Sequence, residues 1–372
     1  MEEAILSKAN LSNSILISAN LRYANLKKAN LRNANLTSAI LEHADMEGCN
    51  LRSAKLIDAN LGDANLDKAN LMWSKCQDAD FDSASLIEVK LRGADLSGAN
   101  MEFANIEASN LCGTSLQGAH LWSTNLIDSD LSKADFSRAY LYEATLRSAK
   151  LCQTRFIEAD LREADFTDAL FESVNFTGAD LRGVNFKDVD CRQAIFAKAD
   201  LSGTDLHGLD FSGVDLRGAD LSYSKLRQVN FSGANLEYAN LTGATLNEAN
   251  FFRANLRNAN LSKATMRQTR FRDANLTGAY LENTDFKDTA FIGANLFEAK
   301  FRGAKLRGVN FRGANLASTI FFGTNFDEKS LINANLEEAI HSLPRDVLEA
   351  AKSKRLVTTY DAGQFADDYR GK

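Results

Sequence analysis

Four histidines, five cysteines and 49 acidic residues are the groups through which this 372-residue chain could do chemistry. Histidines with thiols or carboxylates at motif spacing would read as a metal centre or an acid–base pair. His43, His120, His207 and His341 are scattered, with no second ligand or carboxylate at such a spacing. They read as solvated surface residues. No Gly-rich phosphate loop is present, and nothing resembles a nucleophile with its base. The residue types therefore point to no catalytic, metal or cofactor site, and the chain reads as a non-enzyme.

The elements that must position these groups are set by a repeat. Length alone suggests two or three globular domains, but one proline in 372 residues argues against loop-rich domains with linkers. Hydrophobicity is too high for disorder. No apolar run is long enough to span a membrane, and the start, Met1-Glu2-Glu3-Ala4, shows no secretory pattern. From Leu6 to Leu336 every fifth residue is Leu, Phe, Met, Ile or Cys, 67 consecutive centres without a slip of register. Two before each centre stands a small or β-branched residue, with Leu209 and Lys329 as misfits. Asn or Asp usually stands just before the centre, and two polar residues or glycines follow it.

A period of five fits neither a helix nor a flat strand. A chain that turns one corner every five residues keeps two inward sites per side, one small and one large, as close packing demands. Phe171, Phe211, Phe231, Phe251, Phe271, Phe291 and Phe311 share a column of period 20, interrupted by Cys191. Phe136, Phe156, Phe176 and Phe196 form another. Rings that recur at 20 stack if four sides make one coil. At about 4.8 Å per coil, about 17 coils would make a rod roughly 80 Å long.

The pattern Ala24-Asn25-Leu26-Lys27-Lys28 resembles the pentapeptide-repeat family, over residues 4–340. The resemblance implies an all-β solenoid, a right-handed quadrilateral β-helix. It also implies that some relatives mimic duplex DNA and bind type II topoisomerases, inhibiting them or protecting them from quinolones.

Solenoid ends need covering. Pro344, with Asp346 and Glu349 early and Lys352, Lys354 and Arg355 late, predicts a short helix over 343–356, and the cap is placed at 341–356. Its apolar residues Leu343, Val347 and Leu348 would cap the last coil or contact a second copy. Residues 357–372 read as a polar tail. At the other end Ile5, Ile15 and Ile17 occupy sites that are normally polar. They point to end-to-end pairing with another chain, or to fraying and local burial; both readings stand. Cys76 and Cys191 replace Leu at centres and Cys49 replaces Ala, so these three belong to the core. Cys112 and Cys152 lie two coils apart, too far for a disulfide. An odd, unpaired count points to a reducing compartment, the cytoplasm.

Surface charge is uneven. The face of Leu21, Leu41 and Leu61 sums to about −6 and the opposite face to about +7. Residues 158–220 hold 14 acids against six bases. Asp160, Asp180, Asp200 and Asp220 stack on one column, and Asp200, Asp205, Asp210, Asp215 and Asp220 form a belt; Arg162 and Arg182 can offset Asp160 and Asp180. Residues 225–312 reverse the sign, with Lys300, Arg302, Lys305, Arg307 and Arg312 clustered. Phe103, Trp122, Tyr140 and Tyr142, with His120 beside them, come from three consecutive coils of the acidic face. Exposed rings rimmed by charge suit a binding hot spot; filling of a strand surface by aromatics is the other reading.

Three functions follow. The first is a non-catalytic scaffold that binds a protein partner through the aromatic-acidic surface. The second, from the resemblance, is a DNA mimic binding a type II topoisomerase. Against it, 80 Å of DNA carries roughly 47 charges, far more than the most acidic face. The third is contact of segment 225–312 with nucleic acid or an anionic surface, against which the acidic pI of about 5.4 counts.

Overall fold

In the computed structural model of the chain, residues 1–325 and 328–337 are described, with positions 339, 343, 347, 349, 357 and 358. Each repeat bends at one corner. The N–H of Ala9 donates to the Leu6 carbonyl at 3.0 Å and that of Ser14 to Leu11 at 3.2 Å, and the pattern recurs along the chain. The second residue past the centre is left-handed, as at Lys8 with φ 59° and Asn13 with φ 58°. One positive φ at the third residue of the turn makes it type II. A side chain there costs about 1–2 kcal/mol, which explains why so many corners carry glycine.

The other N–H groups of a repeat explain the remaining letters. Taking the repeat centred on Leu11, the Leu11 N–H donates to Asn30 at 2.8 Å and that of Asn13 to Arg32 at 2.9 Å, both on the next coil. The N–H of Asn30 donates back to Ala9 at 2.9 Å. The N–H of Ser12 remains, and it meets the Asn10 side-chain oxygen at 3.2 Å. Asn or Asp before the centre is therefore a side-chain acceptor for the one donor that the coils leave over. Asparagine adds a second bond along the column: Asn30 Nδ2 donates to Asn10 Oδ1 at 3.1 Å, and Asn50 Nδ2 to Asn30 Oδ1 at 3.2 Å.

Every such column pairs i with i+20 in parallel, as in Asn10↔Asn30 and Asn30↔Asn50. Four repeats thus make one coil, a quadrilateral β-helix, right-handed as parallel crossovers are. The chain divides into two compact units, Met1–Leu201 and Ser202–Lys372. In the first, bridges run from Ile5↔Asn25 to Asp180↔Asp200, and β1 (Lys150–Cys152) pairs in parallel with β2 (Leu170–Glu172). In the second they run from Asp205↔Lys225 to Asn315↔Asn335, and β3 (Ala334–Asn335) pairs in parallel with β4 (Val357–Thr358).

The core follows from the two inward sites. Leu and Phe centres and the alanines beside them are buried through the regular coils, save Phe171, placed in the interior column by its spacing but only half-buried. In the first unit Phe136, Phe156, Phe176 and Phe196 stack with ring centroids 5.0, 5.3 and 5.2 Å apart. In the second, Phe231, Phe251, Phe271 and Phe291 stack at 5.0, 4.7 and 4.7 Å. Where the small site is Ser or Thr, its hydroxyl bonds a centre carbonyl, either of the preceding coil, as Thr124 to Met101 at 2.8 Å and Thr154 to Leu131 at 2.9 Å, or of its own turn, as Ser14 to Leu11 at 2.7 Å, while Ser74 meets the Cys76 sulfur. A buried hydroxyl so paired carries little desolvation cost.

Departures occur where side chains refuse the pattern. Leu209, too large for a small site, is only half-buried. Lys329 cannot enter the interior; the chain there forms a 3₁₀ turn, Glu328–Leu331, in place of a regular corner, and Lys329 stays exposed. In the first coil Leu6, Leu11 and Leu16 are half-buried, whereas Leu21 is fully buried. Ile5, Ile15 and Ile17 are exposed, Ile5 to 86%. The expected cap at 341–356 falls mostly outside the described residues, Leu348 included; Leu343 and Val347 are buried. Of the segment read as a polar tail, Val357–Thr358 form β4 and the rest lies outside the described residues. Cys49, Cys76 and Cys191 are buried, Cys112 and Cys152 half-buried, and no two of the five are joined in a disulfide. Among the described residues no helix is long and apolar enough to cross a membrane.

Candidate protein-binding surface

The aromatic-acidic residues of the first unit stand on one side of successive coils because the repeat returns there every 20 residues. Asn100, His120, Tyr140, Asp160, Asp180 and Asp200 are bridged pairwise in that order. Glu102, Trp122, Tyr142 and Arg162 follow the corresponding centres, and Phe103 and Glu143 stand at corners. The rings engage one another across coils. Phe103 lies against Trp122, centroids 4.9 Å apart, and His120 against Tyr140, also at 4.9 Å. His120 Nδ1 is 3.8 Å from Glu102 Oε1. Phe103, Trp122 and Tyr140 remain exposed while doing so. The Tyr142 phenol bonds the Glu143 carboxylate, and that bond, with the neighbouring negative charge, holds it above the usual phenol range.

Next along the face an arginine ladder begins. Arg162 grips the Asp160 carboxylate through two nitrogens at 2.8 and 2.6 Å, and its guanidinium carbon lies 5.4 Å from the Tyr142 ring centroid. This grip holds the Asp160 carboxyl below the usual range. Arg162 also reaches Asp180 at 3.7 Å; Arg182 grips Asp180 at 2.8 and 2.5 Å and reaches Asp200 at 3.6 Å. The sequence reading left Asp200 without a cation. A guanidinium is long enough to serve its own coil and the next, so two arginines reach all three carboxylates and offset two of their three charges.

The belt residues of the second unit are engaged too. Asp205 pairs with Lys225 at 3.3 Å and Asp215 with Arg217 at 2.9 and 2.7 Å. Asp210 accepts from Ser212 N and Asn230 Nδ2, both at 2.9 Å; Asp220 accepts from Ser222 N at 2.8 Å and Asn240 Nδ2 at 3.1 Å. These aspartates do the corner work that asparagine does elsewhere, with their charge added.

In the basic cluster Lys300 Nζ lies 3.9 Å over the Tyr280 ring. With Arg302, Glu282, Ile320 and Phe322 it lines an open depression of about 410 Å³. Arg302, Lys305, Arg307 and Arg312 are exposed on three successive sides of one coil, so they diverge from a convex surface. Of the corner rings, Phe103 was singled out from the sequence and Trp73 was not. Trp73 lies over the corner of the next coil, where a Cβ on Gly93 would come within 2.1 Å of its ring, and Tyr223 lies over Gly243 at 2.7 Å. The available signal was the pairing of a ring with a glycine 20 residues later. Among the described residues no His, Cys, Asp and Glu cluster could hold a metal ion.

The family profile described as pentapeptide repeats (8 copies) matches residues 1–33, 14–52, 29–67, 44–74, 64–102 and 74–113. It matches again at 185–222, 215–251, 249–288 and 294–328. A second, described as pentapeptide repeat region, matches 119–196. No curated protein matches the chain. Among solved structures it is similar to HetL of the cyanobacterium Nostoc, a pentapeptide repeat protein involved in heterocyst differentiation regulation. The two share 32% identity over 64% of this chain and 88% of that one, with a TM-score of 0.21. Full-length QnrB1, a plasmid-mediated fluoroquinolone resistance protein, shares 15% over 50% and 84%, TM-score 0.21. A pentapeptide repeat protein of the Arabidopsis thaliana thylakoid lumen shares 23% over 51% and 88%, TM-score 0.14.

Proposed function

We propose, from the premise that the chain belongs to the pentapeptide-repeat family, that it is a non-catalytic scaffold whose first unit presents the face of Phe103, His120, Trp122, Tyr140 and Tyr142 to a protein partner. Members of this family are generally structural or binding proteins. One observation carries the location: exposed aromatic rings from three consecutive coils, in contact across coils and rimmed by Glu102 and Glu143. A pattern of exposed rings within a charged rim is the anatomy of a contact hot spot. The coil backbone is held by its own hydrogen bonds, so such a surface meets a partner already ordered, which lowers the entropic cost of binding. The test is affinity capture from the native cell extract with the wild-type chain and with Trp122→Ala/Tyr142→Ala. The double variant is expected to lose the captured partner. Unchanged capture would remove this face from the proposal.

A second reading is a DNA mimic that binds a type II topoisomerase and inhibits or protects it. The regular carboxylate column Asp160–Asp180–Asp200 favours it. The guanidinium pairing of that column and the engagement of Asp205, Asp210, Asp215 and Asp220 weaken it, because a phosphate mimic needs net charge. A supercoiling assay with purified gyrase decides: neither inhibition nor protection at micromolar protein ends this reading. A third, contact of the basic cluster with nucleic acid or an anionic surface, requires salt-sensitive heparin retention that Arg302→Glu/Lys305→Glu/Arg307→Glu abolishes. The divergence of these side chains speaks against it.

A further inference from the structure

The contact face contains one subsite that the chain itself fills. Arg162 lays its guanidinium on the Tyr142 ring and grips the Asp160 carboxylate at the same time. A planar, weakly hydrated cation suits both groups together, stacking on the ring while its fork matches the carboxylate. The same two kinds of group recur on the coils just before. Trp122 is exposed, backed by Phe103, with Glu102 at the equivalent position one coil earlier and Glu143 at the corner one coil later. Tyr140 is backed by His120, which in turn lies beside Glu102. Along this stretch of the face, from Asp80 to Glu143, the outward positions carry Asp80, Asp82, Glu102 and Glu143 and neither lysine nor arginine. The second unit repeats the principle in another form, with Lys300 seated over Tyr280.

We propose that Trp122 and Tyr140, with Glu102 and Glu143, receive arginine side chains from a basic segment of the partner, as Tyr142 and Asp160 receive Arg162. This rests on the face being a protein contact and adds the partner's chemistry. The sign of the field at the site agrees: the Tyr142 phenol is held up by surrounding carboxylates even with Arg162 beside it. Arginine is preferred to lysine because ammonium is a strongly hydrated point charge that gains less from a ring face. Acidic or neutral segments would leave the carboxylates facing like charge or nothing.

The chain has two tryptophans, so Trp73→Phe leaves Trp122 as the single indole reporter. Into this otherwise intact chain one titrates synthetic eight-residue peptides of alternating serine with arginine, lysine or glutamate. The arginine peptide is expected to change Trp122 fluorescence saturably and to bind about ten-fold tighter than the lysine peptide. Glu102→Gln/Glu143→Gln should weaken it by about ten-fold, while Asp205→Asn/Asp215→Asn, in the second unit, should leave it unchanged. The thermal midpoint of each variant confirms folding. Equal binding of the arginine and lysine peptides, no saturable change, or indifference to the glutamate substitutions overturns the inference. If the peptide fails while Trp122→Ala/Tyr142→Ala still abolishes capture of the native partner, the arginine assignment falls and the contact face stands. If capture is also unaffected, both fall.

Discussion

Gly93 and Gly113 both sit at left-handed corners, φ +66° and +67°, but their surroundings differ. A Cβ at Gly93 would meet the Trp73 ring at 2.1 Å, whereas none of the heavy atoms around Gly113 lies within 4 Å. Gly113→Ala should therefore cost only the conformational penalty, about 1 kcal/mol. Gly93→Ala should cost more and displace the indole, visible as a change in tryptophan emission. Equal losses in thermal midpoint would contradict the corner-over-corner packing. Cys49 supplies a pH test. Burial pushes its thiol up to about 12, and that of Cys76 likewise. An unfolded thiol releases its proton near pH 8.5. Between that pH and about 12 the folded state holds more protons than the unfolded one, so stability falls as pH rises through this window. Cys49→Ala, which restores the usual small-site residue, should make the fall of the midpoint above pH 9 shallower; an identical slope would show that this thiol does not titrate as argued. At this scale the sequence disclosed which letters stack, since Asp160, Asp180 and Asp200 are 20 apart. It did not disclose that Arg182 reaches Asp200 or that Arg162 lies on Tyr142, because side-chain reach depends on rotamers and not on spacing.

The coil is the element, and its stability is set by the inward pair. Phe251 is fully buried between Phe231 and Phe271, 5.0 and 4.7 Å away. Phe251→Ala should cost about 3–5 kcal/mol through lost transfer energy and the cavity left behind. Phe251→Leu should cost about 1.5 kcal/mol or less, since leucine fills the same site in many coils. Chemical denaturation of the two variants measures this, and a small loss for alanine would mean that the stack is not the core. The five-residue period, the small and large inward sites and the 20-residue column were all legible, because packing imposes them on every coil. The 3₁₀ turn at Glu328–Leu331 had only Lys329 as its signal, and β4 had none. A two-residue strand carries no period; its place is fixed by pairing with β3 alone.

For the molecule as a whole, function resides in what the repeat leaves free. Two of every five positions are committed to the core, and the Asn/Asp site before each centre is given up only in places, as at His120 and Tyr140, so specificity lies in those substituted sites, the outward residues and the corners. There the sequence could mark rings and charges on one face, and the coils do bring Phe103 to Trp122 and His120 to Tyr140. It paired Asp160 and Asp180 with arginines but not Asp200, which Arg182 reaches at 3.6 Å. Hydroxyl-radical footprinting of the chain, alone and with its captured partner, reads the contact directly. Protection is expected at Phe103, Trp122, Tyr140 and Tyr142, with Trp73, Tyr223 and Tyr238 unchanged. Unaltered oxidation of those four rings in the complex, with protection elsewhere, would contradict the assignment of this face.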